Sequence, residues 1–509
     1  MFAVNPILSL KRSTASCGLI LTFFFSSLVA PSPLLATEES KSPPGIYDQL
    51  HEILRTNQPE GPLDNLTGSI VWGSSYQLDS YVDMFQATGD AKYLEYFVAL
   101  ADRVLAARAD KTGTLDYRGR LTYGWPSDGH YTLGKPTALE DREGNPSLEV
   151  RTIARSHNNK LSLEIVTDET EGTFDILVTD ARNPDAPNKT EYKGLTLETI
   201  EAKVNPKPGE RGLVRVRVLG EKPPRDYHAF TPPTELMTFH GHHTGRIVTP
   251  FARFCALILK EGGPQEFREK AEEYLAEMRV TMVEHDQFFI EEEDWGYTIF
   301  EKGSPFWCDG APEVHNTMAA SGSAYLNLYR ATGESYYLDR ATRLARLFGK
   351  HHIEQPNDTW SMNYWWGLMH EGWRAEDGVS ENLPVYAGSS TPDDISHFQL
   401  TLTFLMDCYE NGVVFTENDL RKWANTFHRV LYRESEGGPF VAYRLDGSQG
   451  GQEPGEGNHV LYGYIELGAK FDEEVAKKCR GIFYRRNADK ALPSALIGWA
   501  ALAKAEAGR

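Results

Sequence analysis

The sequence predicts a mainly α-helical protein: an (α/α)n toroid of helical hairpins with a small β-sandwich domain inserted. Three observations carry this prediction. The stretch from Met84 to Glu95 recurs from Leu328 to Asp339 at a constant offset of 244 residues, with Tyr81 matching Tyr325, Ala101 matching Ala345 and Val104 matching Phe348. Each copy is an apolar-periodic segment, an Ala-Thr-Gly stop and a second apolar-periodic segment, the pattern of a repeated helical hairpin. Between the copies, the helical period gives way to short alternating runs punctuated by Asn-Pro and Pro-Gly, the pattern of strands and turns.

Taken in order, Lys11-Arg12, the apolar run Leu19 to Ala30 and the ending Leu34-Leu-Ala36 read as a secretory signal over residues 1–36, with a membrane anchor as the alternative. Residues 46–140 form the first part of the helical toroid. Its periodic segments run to Arg108, and a loop-rich stretch spans Leu115 to Pro136. Alternation over Val150–Arg155, Leu161–Val166, Phe174–Val178, Leu195–Ile200 and Leu213–Val218 places the inserted β-sandwich at 148–222. Residues 235–507 complete the toroid, with helical periodicity resuming near Thr249. Helices are expected at Pro250–Lys260, Pro264–Glu284, His315–Lys350, Phe398–Asn411, Glu417–Tyr432 behind a Thr416 cap, Leu461–Leu467, Glu473–Tyr484 and Pro493–Ala507. These make five or six hairpins. An open helical solenoid is the competing architecture.

Composition bounds the partners. The 509-residue chain has a formal net charge of −20 and 40% apolar residues, which fits a large soluble core and argues against nucleic acid as a partner. Residues 150–220 are neutral, with 11 Lys/Arg and 11 Asp/Glu, so the acidity lies elsewhere. No further segment reads as membrane-spanning, so no membrane contact is expected after signal removal. Cys255, Cys408 and Cys479 sit among apolar helical residues and read as core, while Cys308 lies in a loop. Asn65, Asn188 and Asn357 open N-x-T sequons, a weak signal. The oligomeric state is not legible.

Five polar clusters are candidates for chemistry. His240, His242, His243 and Arg246 crowd one short loop and suit a substrate carboxylate, with metal ligation or a solvated loop as alternatives. Glu313, His315 and Asn316 open the second repeat copy, where Asn and His can neutralise a carboxylate or simply cap the helix. Tyr364, Trp365 and Trp366, near Trp360 and Trp373, offer aromatic faces for sugar stacking and a phenol for proton transfer. Asp393, Asp394 and Ser396 precede His397, and a carboxylate there can fix the imidazole as a base. Asn458 and His459, with Tyr462 and Tyr464, follow the glycine-rich stretch 447–457, which lacks the Lys-Ser/Thr of a phosphate loop. Glu291 to Asp294 reads as a solvated acidic run. No metal and no cofactor is expected.

With its helical hairpins, Ala-Thr-Gly stops, His315-Asn316 at a hairpin start and aromatic loops, the chain from Ile46 to Ala507 resembles, outside the β insert, the toroidal polysaccharide lyases that cleave uronate polymers. Uronyl C5-epimerases look similar too. Many toroidal lyases carry Asn-His where this chain carries His315-Asn316. The resemblance implies β-elimination on an acidic polysaccharide or oligosaccharide, with an Asn/His neutraliser and a Tyr or His base. Asn316, His315 or Arg246 would neutralise the uronate carboxylate. His397 or Tyr364 would take the C5 proton, and a Tyr would protonate the leaving O4. Trp365 and Trp366 would hold adjacent sugars; His240, His242, His243, Asn458 and His459 would contact them. A glycoside hydrolase of the same shape would need two opposed carboxylates, drawn from Asp309, Glu313, Asp393 and Asp394. A non-catalytic glycan-binding protein is the third class.

Overall fold

The structure, a computed structural model, describes residues 42–57, 61–168, 170–207, 209–238 and 241–508. The expected signal lies outside the described residues, as do His240 and the side chain of His242. The protein is mainly helical with small sheets. Twelve long helices make its body: α1 (Pro43–Asn57), α2 (Ser75–Thr88), α3 (Lys92–Ala106), α4 (Gly241–Leu259), α5 (Arg268–Asp286), α6 (His315–Thr332), α7 (Ser335–His351), α8 (Ile395–Glu410), α9 (Glu417–Thr426), α10 (Tyr462–Phe471), α11 (Glu473–Arg486) and α12 (Pro493–Ala507).

The Ala-Thr-Gly stops end α2 and α6 by the same bonds. Gly89 (φ 71°) and Gly333 (φ 79°) take the left-handed conformation, and their N–H groups return to Phe85 and Tyr329 carbonyls. Only glycine adopts this cap without a Cβ clash. Thr88 and Thr332 donate to the carbonyls four residues back and accept from the N–H of Asp90 and Glu334. At α9 the expected Thr416 cap forms a reciprocal box with Asp419.

Six helices contact one another in cyclic order: α2, α4, α6, α8, α10, α12 and back to α2. The remaining six pack outside them as hairpin partners. In α6 all but three residues are buried, as expected of a helix surrounded by helices. Neighbouring inner helices run in one direction. Asp79 pairs with Arg246 and, a turn later, Asp83 with Arg253. Gln399 meets Gly463 near the starts of α8 and α10, and Glu410 meets Lys470 near their ends. The amino-terminal ends of these helices, with their unpaired N–H groups and partial positive charge, therefore face the same way.

Close approach between α4 and α6 depends on Gly245, where an added Cβ would lie 2.4 Å from the Ser321 nitrogen and 2.6 Å from the Ala320 carbonyl carbon. Both are backbone atoms, so relief requires the helices to part. Gly245→Ala is expected to destabilise the protein by about 2–3 kcal/mol, measured by chemical denaturation.

Strands β1 (Thr137–Glu140), β2 (Pro146–Thr152), β3 (Leu161–Asp168), β4 (Thr173–Asp180), β5 (Asn188–Leu195), β6 (Val214–Val218) and β7 (Tyr227–Phe230) lie between α3 and α4. They form two antiparallel sheets, ordered β1-β2-β6 and β5-β4-β3-β7. Inward residues of both, such as Leu148, Val216, Ile165 and Ile176, share one apolar cluster, which alternation along the strands predicts. The strands extend beyond 148–222 at both ends.

One sequence-based boundary is corrected. The part of the expected loop from Gly241 to Arg246 is the opening of α4, which starts at Gly241 and carries Pro250 in its interior. Proline after a polar run reads as a helix start; here the helix runs through it. Among the described residues the four cysteines are buried and free, and no helix is long and apolar enough to cross a membrane.

Candidate functional site

The amino terminus of α8 is held by three short segments laid side by side. Asn363 bridges Pro392, and Asp394 bridges Arg444. The Tyr364 N–H donates to the Thr391 carbonyl at 3.0 Å, that of Asp393 to Met362 at 2.9 Å, that of Leu445 to Asp393 at 2.9 Å and that of Ile395 to Tyr443 at 2.8 Å. This lattice fixes the backbone beneath Tyr364, Asp393, Asp394 and His397.

Asp394 is the cap of α8. Its Oδ1 accepts from the N–H groups of Ser396 (3.0 Å) and His397 (3.1 Å) and from the Ser396 hydroxyl (2.5 Å). Its Oδ2 lies 2.7 Å from His397 Nδ1. With Asp394 ionised, Nδ1 carries the proton in this bond, which leaves Nε2 as the free nitrogen. The His397 side chain is 12% exposed, and no described residue bonds its Nε2. The ring of Tyr364 stands edge-on to that of His397, with centroids 5.1 Å apart. Tyr364 is half-buried and its hydroxyl makes no hydrogen bond among the described residues. A fixed imidazole and a free phenol therefore stand together at the end of an inner helix.

The charges around this pair are sharply divided. Burial alone would raise Asp394, but the charge and hydrogen bonds of His397, with the Ser396 hydroxyl, hold its carboxyl well below the usual range. Burial opposes protonation of His397, and the Asp394 carboxylate overcomes it, so the imidazole lies above its ordinary value. Burial, then the neighbouring Asp394 charge, pushes Asp393 up to about 7. Asp393 is fully buried, and its Oδ2 has no hydrogen-bond partner. Burial and the charges of Asp393 and Asp394 keep the Tyr364 proton bound well above its ordinary value. Arg444 Nη1 lies 3.8 Å from Asp394 Oδ2 and donates to the Pro392 carbonyl at 3.1 Å.

The Asp393 position gives a stability test. Between its ordinary 3.8 and about 7, the folded protein holds a proton that the unfolded chain releases. Stability therefore falls as pH rises through that window. Asp393→Asn removes the titration while keeping an acceptor for the Asp394 N–H. It is expected to stabilise the protein by about 2–4 kcal/mol at pH 8 and not at pH 4, read from paired melting curves.

Among the described residues, Asp393, Asp394 and His397 are the one group of three whose possible metal-ligating atoms lie within 4.8 Å of one another. The Asp394–His397 bond and the nearby Arg444 cation already compensate much of that negative charge.

The other expected site residues are distributed as follows. His315 lies below this neighbourhood: its Nδ1 is 3.0 Å from the Asn363 carbonyl and its Nε2 is 3.0 Å from His351 Nδ1. Burial holds it neutral, down to about 3. Asn316 is buried with an unpartnered Oδ1. Trp366 is buried and donates to the Glu313 carbonyl at 2.7 Å. Trp360 and Trp373 are also buried, and of these four tryptophans Trp365 alone is half-exposed, against the expectation that Trp360 sits in an open loop. His243 Nδ1 lies 3.1 Å from the Asn65 amide, and its ring packs on Tyr131. Arg246 is buried, paired with Asp79 and stacked 4.2 Å over Tyr76. Asn458 spends its amide on the backbone of Val441 and Glu456, and half-buried His459 is lowered to about 4 by burial. His397, Tyr364 and Trp365 thus come together, and His315 reaches them through the Asn363 backbone.

Sequence reasoning missed Arg444, Trp307, Tyr386 and Arg155. Trp307 and Trp365 lie 6.0 Å apart, and Trp307 and Tyr386 lie 6.2 Å apart. Nothing in the local pattern around these residues marks them; segments distant in sequence bring them together.

No protein-family model matches the chain, and no curated protein matches it. Two solved structures are similar to parts of it. One is a cellobiose 2-epimerase from Bacillus thermoamylovorans B4167, at 15% identity over 48% of this chain, with a TM-score of 0.32. The match spans 60% of the epimerase's own length. The other is a family 76 glycoside hydrolase from a bovine Bacteroides thetaiotaomicron strain, at 11% identity over 74% of this chain and 98% of that one, with a TM-score of 0.30. Likenesses at this level do not bear on the reaction.

Proposed function

We propose that this protein is an exported carbohydrate-active enzyme, a six-hairpin toroid with an inserted β-sandwich, that cleaves an acidic polysaccharide by β-elimination. The observation that supports this reading is the Asp394–His397–Tyr364 constellation, a fixed imidazole with a free Nε2 beside a phenol with a free hydroxyl. In the proposed reaction His397 Nε2 takes the C5 proton of a uronate. The C5 electron pair forms the C4–C5 double bond, the C4–O4 bond breaks, and the Tyr364 hydroxyl protonates O4. Asp394 holds the imidazole and stabilises its charged form, the role a carboxylate plays behind a catalytic histidine.

A hydrolase reading is weaker on the same geometry. Asp309 accepts from Ser380 and three backbone N–H groups. Glu313 is bonded by Thr298, Thr317 and the Gly241 N–H, and Asp394 is committed to its cap. Asp393 alone among these candidates keeps an unpartnered oxygen, whereas hydrolysis of this kind needs two carboxylates across the scissile bond. C5-epimerisation is the second reading, favoured by the same adjacency of a proton acceptor and a proton donor.

Incubation with alginate, glucuronan and glycosaminoglycans in deuterium oxide tests these readings together. Ultraviolet absorbance of an unsaturated uronate is expected. Deuterium at C5 without that absorbance would replace elimination by epimerisation. New reducing ends without it would mean hydrolysis, and binding without turnover a glycan-binding protein.

A further inference from the structure

Arg444 is held against the capping carboxylate of α8 from several sides. Its backbone bridges Asp394. Its N–H donates to the Ser448 carbonyl at 2.9 Å, and its own carbonyl accepts from the Gly447 N–H at 2.9 Å. Its side chain donates from Nη1 to the Pro392 carbonyl at 3.1 Å, and the guanidinium carbon lies 5.1 Å from the centre of the Tyr443 ring. Gly450, left-handed at φ 56°, closes over it: an added Cβ there would lie 2.9 Å from Arg444 Nε. Arg444 is 6% exposed, so solvent ions screen its charge little.

Two cationic groups compete for Asp394. Its Oδ2 lies 2.7 Å from His397 Nδ1 and 3.8 Å from Arg444 Nη1. The longer distance is beyond hydrogen-bond reach, so Arg444 acts there through its charge. An opposite charge within about 4–6 Å moves a titrating group by roughly 1–3 pH units in favour of its charged form. Each unit by which a base then lies above the working pH leaves about tenfold less of it neutral. Burial opposes protonation of His397; Asp394 and then Asp393 favour it, and Arg444 opposes it. Tyr364 and Tyr443 stand in the same group, and burial with the neighbouring carboxylates keeps both phenols protonated. A carboxylate that fixes a base therefore needs a counterweight, because a general base works best with a proton affinity near the working pH.

We propose that Arg444 is a positioning residue: it shares the Asp394 carboxylate with His397, so that Asp394 fixes the imidazole without locking a proton onto Nε2. This rests on the reading of His397 as the base. Arg444 acts through Asp394 and takes no part in proton transfer. The bland alternative is a brace for the Pro392 carbonyl, and the two roles separate by experiment.

Arg444→Gln keeps a donor for that carbonyl and removes the charge, whereas Arg444→Lys keeps the charge and loses the planar fork. The full chain is read in two ways. One is the pH profile of kcat/KM for unsaturated product from alginate, glucuronan and glycosaminoglycans. The other is the histidine NMR titration of the resting protein, with His397→Ala identifying the His397 signal. Both are repeated with Asp393→Asn, which keeps the Asp393 titration out of the readout. In Arg444→Gln the kinetic limb and the His397 titration should both move up by about 0.5–1 pH unit. At pH 6 kcat/KM should then fall about 3- to 10-fold, with the plateau above the limb retained. Asp394→Asn moves the limb the other way. Arg444→Lys should stay near the wild type, and Arg444→Met, with the same expected movement as Gln, serves if the Gln variant does not fold. A His397 titration that stays in place or moves down without the Arg444 charge overturns the proposal, as does a Lys variant that moves as far as Gln. A titration that moves up in a protein giving no unsaturated product would instead sink the elimination reading and leave the role of Arg444 standing.

Discussion

His397→Ala is expected to lower kcat by about 10³–10⁴-fold, with an unchanged melting temperature and near-normal binding of an acidic tetrasaccharide. The imidazole is 12% exposed and bonded to one carboxylate, so its removal opens little core. Tyr364→Phe should cost a similar factor in kcat, because it removes only the hydroxyl that protonates O4. The pH dependence carries the sign. As the base, His397 must be neutral, and its affinity for protons lies above the ordinary 6.5. kcat/KM should therefore rise with pH through a limb above 6.5. In Asp394→Asn the carboxylate that raises His397 is gone, so the limb should move to lower pH while kcat falls, because the imidazole loses its fixed tautomer. Near-normal turnover in His397→Ala, or an unmoved limb in Asp394→Asn, would remove this pair from the reaction.

Asp79→Ala is expected to destabilise the protein by about 3–5 kcal/mol in denaturant unfolding. Asp79 binds Arg246 and Arg253, Asp83 binds Arg253 and Lys504, and Lys504 reaches Glu466. Asp79, Asp83 and Arg246 are each 3% exposed or less. Removing Asp79 leaves the Arg246 guanidinium buried without its anion, a cost that solvent cannot relieve. Replacing both partners, as Asp79→Leu with Arg246→Met, should recover most of the loss, since an apolar pair carries no desolvation penalty. The same network changes the expectation for Arg246, which the sequence offers as a direct carboxylate ligand. If its role is structural, the single substitution Arg246→Met lowers stability with KM for the saccharide unaltered; a raised KM at full stability would restore it to the binding site.

The hairpin architecture was legible because its signals are local. Ala-Thr-Gly after an apolar-periodic run demands a left-handed residue at positions 89 and 333, and both glycines take it. The Thr416 cap and the alternating strands are equally short-range. The α4 start was misread for the same reason: Pro250 looks like a first-turn proline, and only packing of α4 against α2 and α6 carries the helix back to Gly241. Asp394 and His397 were legible as a pair because they lie three residues apart across a helix start. Arg155, Trp307 and Tyr386 were not, since they come from three segments with no shared period.

By itself the sequence determined the repeated helical pair, the β segment between its copies, and the presence of imidazole, phenol and carboxyl groups at helix starts, all set by neighbours along the chain. Tertiary structure decided which of these groups keep free valences. Packing spent His315, Trp366 and Asn458 on internal contacts and tied one Arg246 nitrogen to Asp79 while leaving its Nε and Nη2 unpartnered; among the described residues, Nε2 of His397 and the Tyr364 hydroxyl make no hydrogen bond. The reason is physical: desolvation and hydrogen-bond satisfaction depend on what surrounds a side chain in space, and the order of residues along the chain does not contain that.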